Sequence, residues 1–472
     1  MTEIDRDDVV ARLRSALGSE VRVPGTEGYS SALAAVFSPE AARRRPACVV
    51  TPRTVDDVAT VLRIATAARA GVTVRGGGLS STCVADGLVM VDLSRHLRTA
   101  RTEGDQAVIG GGATMGSMMR ALAPTGRAVP IGVTGYAGLG LATRGGIGPL
   151  TRSLGLTVDH LTGAEIVLPS GDIVHVSERS TGADADLWWA VRGCAPAVGV
   201  VTSAEFRTHV MEPVRIDRAV VGLDALATYF RVAPELPRHT SMSAVLGYTP
   251  MSPDEPVLFL YTVCASNRED AIGRAHAATS AVMASANGSP LYRSQTTGSY
   301  PVELPEFAIP GVGGAEPEPI SPPDPRRRAQ GSFLGKAVFS GTTLDPELAD
   351  ALADRIRAAP TRACRIDFQH TGGALSGIDD TATAFWGRTA EWSIPINAIW
   401  DNEADGTACA SWAHDTLRAL DAHTLGVYAV ELRPGLPETD AETRAAYGGN
   451  LTRLRALRQR HDPTGTIAPQ LL

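Results

Sequence analysis

The chain has 472 residues, 44% of them hydrophobic and 20% charged, with a formal net charge of -7. That length exceeds one ordinary core and suits two or three soluble globular domains, and an acidic balance without a basic stripe argues against nucleic acid as a partner. No apolar run approaches the ~18 residues of a membrane span, and six cysteines without CxxC spacing argue against a zinc site or a disulfide framework.

The scattered thiols fit a reducing cytosol, and the acidic start MTEIDRDDVV lacks the basic and apolar regions of a secretory signal, so a cytoplasmic location is expected. Residues 9–17 read as a short helix, and 46–52, P-A-C-V-V-T-P, as a short strand between prolines. Thr54 then caps a helix, because T-V-D-D sets an acid in its first turn. Val58, Val61, Leu62 and Ala65 share one face of it, and Gly71 is expected to end it. A strand over 72–74 delivers the chain into V-R-G-G-G-L-S, residues 74–80. Three consecutive glycines offer a core nothing and cost backbone entropy, but they let a backbone approach a large ligand. Their unobstructed N–H groups make a concave anion site of the kind that holds a diphosphate.

Residues 86–93 alternate like a strand, 107–112 enter a second glycine turn, and Thr114 opens a helix running to Leu122. The glycine-dense stretch 132–148 follows, so the ligand site reads as extended. Residues 164–176, turning at P-S-G-D, read as a β-hairpin, 186–193 as a short helix and 198–202 as a strand. Beyond about residue 205 the glycines thin out. Strands are expected over 244–246, 257–263, 337–340, 366–375, 391–400 and 427–432, and helices over 268–284 and 408–420. The Pro-rich stretch 311–328 reads as a surface loop in preference to a substrate lid.

R-G-G-G-L-S followed by D-G-L-V-M-V-D-L-S (86–94) resembles the flavin-binding signature of the vanillyl-alcohol-oxidase superfamily, and more narrowly its berberine-bridge-enzyme-like branch. Residues 131–161, D-L-W-W-A-V-R-G, T-G-G-A-L and the C-terminal A-Y-G-G-N-L-T-R-L resemble further segments of that branch, so the likeness runs from about residue 46 to the C-terminus. It implies an α+β fold: a two-part PCMH-type FAD-binding domain over 1–205, a substrate-binding domain with an antiparallel sheet flanked by helices over 206–431, and a segment 432–472 returning to the first domain. It implies FAD held by Arg75, Gly76, Gly77, Gly78, Leu79, Ser80, Thr134, Gly135, Gly138, Gly145, Gly148, Val200, Tyr447 and Asn450. Leu79 and Val133 occupy the positions of the histidine and cysteine that bond the flavin in that branch. FAD is therefore expected without a covalent link. Arg144 for a glycine, Cys194–Ala197 for glycines and asparagine, and His160 for an asparagine are further departures.

The polar groups over the flavin in that branch map onto Gln369, His370, Asn397, Tyr428 and Glu431. Glu431, Tyr428, Asn397 and His370 are the catalytic candidates. A buried Glu431 of raised pKa, or Tyr428, would take the proton while hydride passes to flavin N5 and O2 reoxidises the cofactor. A carboxylate paired with Arg433 and a hydrogen-bonded structural histidine are the plainer readings of Glu431 and His370. The implied activity is oxidation of a bulky secondary-metabolite small molecule, with no metal. The alternative is a redox-neutral cyclase, dehydratase or lyase on the same scaffold, with flavin lost or structural.

Overall fold

In a computed structural model of the chain, residues 3–132, 134–300, 331–341, 344–468 and 472 are described; Val133 and the Pro-rich stretch 311–328 lie outside the described residues. The fold is α+β. A four-stranded sheet takes the order Val21–Arg22, Cys48–Val50, Val89–Asp92, Val72–Arg75. Strand Val89–Asp92 runs parallel to both of its neighbours, and all four of its residues are buried. The alternation expected over 86–93 is therefore absent, as it is for any parallel strand covered on both faces.

Helix Val55–Ala67 opens as its sequence predicts: Thr54 Oγ1 accepts the Asp57 N–H at 3.2 Å, and the Asp57 carboxylate accepts the Thr54 N–H at 3.1 Å. Val58, Val61, Leu62 and Ala65 are buried along one face. The helix stops at Ala67, short of Gly71. Arg69 takes the left-handed turn (φ 51°), and the Ala70 N–H closes on Ala65 O at 2.8 Å. Gly71 instead makes room for Leu88, whose Cδ2 would lie 2.8 Å from any Cβ there.

A five-stranded antiparallel sheet follows, in the order Ala100–Glu103, Gln106–Gly110, Val200–Arg207, Leu161–Val167, Ile173–Ser177. The expected hairpin is present, its turn closed by Leu168 N–H on Asp172 O at 2.9 Å. At the other end of the chain, Val72 N–H donates to Thr466 O (2.7 Å) and Ala468 N–H to Val72 O (2.8 Å). The C-terminal segment thus pairs with the strand that feeds the triple glycine.

The eight-stranded antiparallel sheet has the order Tyr292–Gly298, Val214–Gly222, Ser252–Cys264, Thr240–Thr249, Arg365–His370, Trp392–Trp400, Ser332–Ser340, Thr424–Val427. Its two faces follow the two-residue repeat. Met242, Ala244, Leu258, Leu260, Phe368 and Ile394 pack outward against helices Leu226–Val232, Pro346–Arg357 and Gly406–Leu420. Each large apolar side chain buried there contributes roughly 1.5–3 kcal/mol. Val214, Ile216, Val245, Phe259, Ala337 and Phe339 pack inward, in one cluster with Ile131, Leu139, Ile147 and Leu150. The sheet is therefore a roof over the glycine-dense segment. Two of its strands, Val214–Gly222 and Tyr292–Gly298, were not expected, although Pro213 and Gly222 bound the first and Pro290 and Gly298 the second. Two predicted strands end early. Arg365–His370 stops before Thr371, and Thr424–Val427 passes into a 3-10 turn over Ala429–Glu431, so Tyr428 and Glu431 do not alternate along a strand.

Candidate active site

Strand Val72–Arg75 delivers the chain into Gly76, Gly77 and Gly78. The N–H groups of these glycines and of Leu79 donate to no acceptor among the described residues. A Cβ on Gly76 would lie 2.8 Å from Gly111 O, and one on Gly77 would lie 2.7 Å from Gly138 N and 2.8 Å from Tyr136 O. Three glycine turns distant in sequence thus meet backbone to backbone. The close approach requires glycine, and the free N–H groups suit the oxygens of a diphosphate, so these residues fit FAD. Gly135 O and Ala137 O accept from Gly116 N–H (2.8 Å) and Met115 N–H (2.7 Å), which fixes the 134–138 turn on helix Met115–Leu122. Thr134 Oγ1 accepts the Tyr136 N–H within that turn.

Arg75 and Ser80 brace the loop from within. The buried Arg75 guanidinium donates to Asp92 (3.0 Å) and to the carbonyls of Ala35 (2.8 Å) and Ala32 (3.3 Å). Ser80 Oγ accepts the Thr82 N–H. Leu79 packs against the shared apolar cluster. The nearby Cys83 thiol is buried and pushed up to about 12, so it is no nucleophile.

The second segment reaches the roof through Gly145 and Gly146, both in left-handed backbone (φ 136° and 83°). Tyr428 Oη accepts the Gly146 N–H at 2.9 Å, and a Cβ on Gly145 would collide with Phe385 and Tyr428. Gly148 N–H donates to Thr151 Oγ1. Arg144 sits near enough to Tyr428, Cys194 and Tyr447 for its charge to act on all three. Tyr447 Oη lies 3.1 Å from Cys194 Sγ, Asn450 Nδ2 donates to Asp380 O and Thr383 O, and Val200 is buried in the cluster under the first sheet. Asp159 and Arg388 form a buried bidentate pair at 2.8 Å, tying this segment to the roof loop. His160, held at about 4 by burial, bonds Leu154 O and His209.

On the inward face of the roof lie Asp367, Gln369, Ser393 and Asn397. Asn397 Nδ2 donates to Asp367 Oδ2 at 3.1 Å. Asp367 Oδ1 accepts no hydrogen bond, with Arg365 Nε 3.4 Å away, and Gln369 Oε1 and Ser393 Oγ are likewise buried without partners. Burial raises the pKa of Asp367 against the pull of Arg365 and Asn397. Glu431 lies against Gly335, whose strand position faces Asn397. Among the described residues its carboxyl makes no hydrogen bond or ion pair, while its N–H donates to Tyr428 O (3.1 Å). Burial raises its pKa, Arg433 and Lys336 draw it back, and Asp367 pushes it up.

One expectation is corrected, and one candidate lies away from the inward face. Arg433 does not pair with Glu431; it donates to Phe333 O (2.8 Å) and approaches Glu40 (3.6 Å). His370 points away from Asp367 and Gln369, as alternation along the strand demands. Its Nδ1 accepts the Met242 N–H (3.0 Å), its Nε2 bonds Glu391 (2.8 Å), and its ring stacks on Trp392. The ring is thus fully engaged on the face away from Asp367 and Gln369. Tyr428 keeps its proton, since burial and then the charge of Glu431 push its hydroxyl well above the ordinary range. Asp367 was the residue missed, although two-residue spacing from Gln369 is visible in R-I-D-F-Q-H.

Beyond the inward face, Lys336 is the one lysine of the chain and is 2% exposed. It donates to Glu438 (2.9 Å) and Glu442 (2.7 Å). Burial pushes Glu438 up, yet the hydrogen bonds from Lys336 and His414 hold it down at about 2.

Residues 46–177 match the family described as an FAD binding domain. An FAD-linked oxidoreductase of Dictyostelium discoideum is 23% identical over 89% of this chain and 86% of its own length. The glucooligosaccharide oxidase of Sarocladium strictum is 36% identical over 34% of this chain and 33% of its own. The BBE-like 1 protein of Physcomitrella patens shares the fold, with a TM-score of 0.82 at 21% identity over 97% of each chain.

Proposed function

We propose that the chain is an FAD-dependent oxidoreductase of the berberine-bridge-enzyme-like branch, that FAD is bound without a covalent bond and that the reaction is oxidation of an alcohol; the match over residues 46–177 and the shared fold support this reading. The N–H groups of Gly76–Leu79 would hold the diphosphate, with the turns at Gly111 and Gly138 closing on it. Leu79 offers the flavin only hydrocarbon. When bound, FAD supplies the hydride acceptor for the substrate carbon and is reoxidised by O2.

The observation that carries this reading is Asp367. Its Oδ1 is buried and accepts no hydrogen bond, while Oδ2 is fixed by Asn397. A substrate hydroxyl that donates to Oδ1 can pass its proton there as the C–H bond breaks. Arg365 and Asn397 favour the anion of Asp367. Burial and then Asp367 raise the pKa of Glu431, while Arg433 and Lys336 lower it. Gln369 and Ser393 offer the substrate further polar contacts, which suits a molecule with several hydroxyl groups. A bulky natural-product alcohol, including one that carries a sugar, meets that description.

The test is the absorption spectrum of purified protein before and after acid precipitation, with O2 consumption measured on a panel of polyhydroxylated alcohols. Flavin released into the supernatant and O2 consumed with an active alcohol are expected. Asp367→Asn should retain flavin and lower kcat by at least about a hundredfold. Colourless protein that stays so with added FAD, yet turns substrate over without O2, would assign a redox-neutral reaction instead.

A further inference from the structure

Strand Val214–Gly222 turns Val214, Ile216 and Val220 into the apolar cluster shared with the glycine-dense segment. By the two-residue repeat Arg218 points the same way. It is only 5% exposed. Nη1 donates to Thr296 Oγ1 at 3.1 Å, the guanidinium lies 5.2 Å from the centroid of the Tyr261 ring, and the Tyr261 hydroxyl is also hydrogen-bonded to it. All of these groups are neutral. Burial pushes the Tyr261 hydroxyl up to about 12, so it brings no negative charge. Arg218 Nη2 is buried with no acceptor, and so is Oγ of Ser294, the residue opposite Arg218 on the edge strand. Among the described residues no carboxylate pairs with Arg218. The neighbouring Asp217 faces outward to Arg215 (3.7 Å) and His276 (3.5 Å).

An arginine cannot relieve burial by losing its proton, and a buried charge without a counter-charge is strongly destabilising. A chain that keeps one facing its substrate side has a use for an anion there. The location agrees. Tyr261 is close enough to Tyr300 for their charges to interact, and Tyr300 Oη accepts the Ile131 N–H (3.2 Å) at the start of the second flavin segment. Tyr261, Tyr300 and Ile131 belong to one buried cluster, so Arg218 borders the packing under that segment.

We propose that Arg218 is the receptor for a carboxylate on the substrate, flanked by Ser294 and Thr296, so that the oxidised molecule is a hydroxylated acid and not a neutral alcohol. The proposal rests on the oxidase reading and names its substrate class. A guanidinium fork matches a carboxylate geometrically, and the surrounding low polarity strengthens the pair.

FAD-loaded protein is titrated with matched pairs, mandelate against mandelamide and glucuronate against glucuronamide, with flavin absorbance and melting temperature as readouts. At least one acid should bind more tightly than its amide. Arg218→Gln should weaken that acid about tenfold to a hundredfold, leave the amide unchanged and keep full flavin content, with Arg218→Lys intermediate. Acids binding no better than amides would overturn the proposal. So would a folded Arg218→Gln that loses flavin, since the arginine would then serve the cofactor. Should Arg218→Gln not fold, the parent's acid-amide difference and its reduction by Arg218→Lys decide. Colourless protein would defeat the oxidase reading separately, because the melting shift still reports on the acid.

Discussion

His160 and His370 are held at about 4, chiefly by burial, so the folded protein keeps both neutral where the unfolded chain would protonate them. The hydrogen bonds give His160 its tautomer: Nε2 faces Leu154 O and must carry the proton, leaving Nδ1 to accept from His209. A histidine whose folded pKa is depressed contributes stability that is complete above its unfolded pKa, about 6.5, and is lost as pH falls towards 4. Each is worth on the order of 3 kcal/mol across that window. Urea unfolding followed from pH 8 to 4.5 should show the decline beginning below about 6.5, with His370→Gln removing roughly one proton from its slope. A flat profile between 6.5 and 5 would mean that neither histidine is held neutral.

At the scale of the element, the 3-10 turn Ala429–Glu431 decides the geometry of the site, because it sets Tyr428 against Gly146 and Glu431 against Gly335. Tyr428→Phe removes the acceptor from a buried N–H, which costs about 1–3 kcal/mol. Melting temperature and flavin retention should both fall, whereas a Tyr428 acting as base would lower kcat and leave the melting curve in place. This turn also marks where sequence reading gives out. V-Y-A-V-E has the composition of a strand, and only the pairing of Thr424–Val427 with Ser332–Ser340 shows where the strand ends. The glycine loops, the capping box at Thr54 and the hairpin at P-S-G-D were legible because each depends on local backbone chemistry. Asp367 was half legible, since alternation gives a face but not which face the flavin segment covers. Arg218 was not legible, because its lack of a carboxylate partner among the described residues is a property of three strands brought together.

Over the whole molecule, the flavin segment and the roof are joined by buried charged groups more than by loops. Arg388 forks onto Asp159, and Arg152 reaches Glu391 and the carbonyls of Thr371 (2.8 Å), Leu236 (2.7 Å) and Thr240 (2.9 Å). Removing one partner strands the other charge, so Asp159→Asn should destabilise by about 3–5 kcal/mol. Calorimetry can show whether the roof then melts separately from the glycine-bearing sheets. A single unshifted transition would mean that the pair contributes little to joining them.

Lys336 has a consequence of a practical kind. Within this stretch of chain it is the only side-chain primary amine, and it lies 2% exposed between two glutamates. Acylating reagents and amine-directed cross-linkers therefore have no lysine to attack on the native surface, and acetylation of this residue requires helix Thr439–Tyr447 to lift from the roof. Arginine carries the rest of the side-chain positive charge, so the native surface is inert to lysine chemistry, and the appearance of a labelled Lys336 is a clock for the opening of that corner.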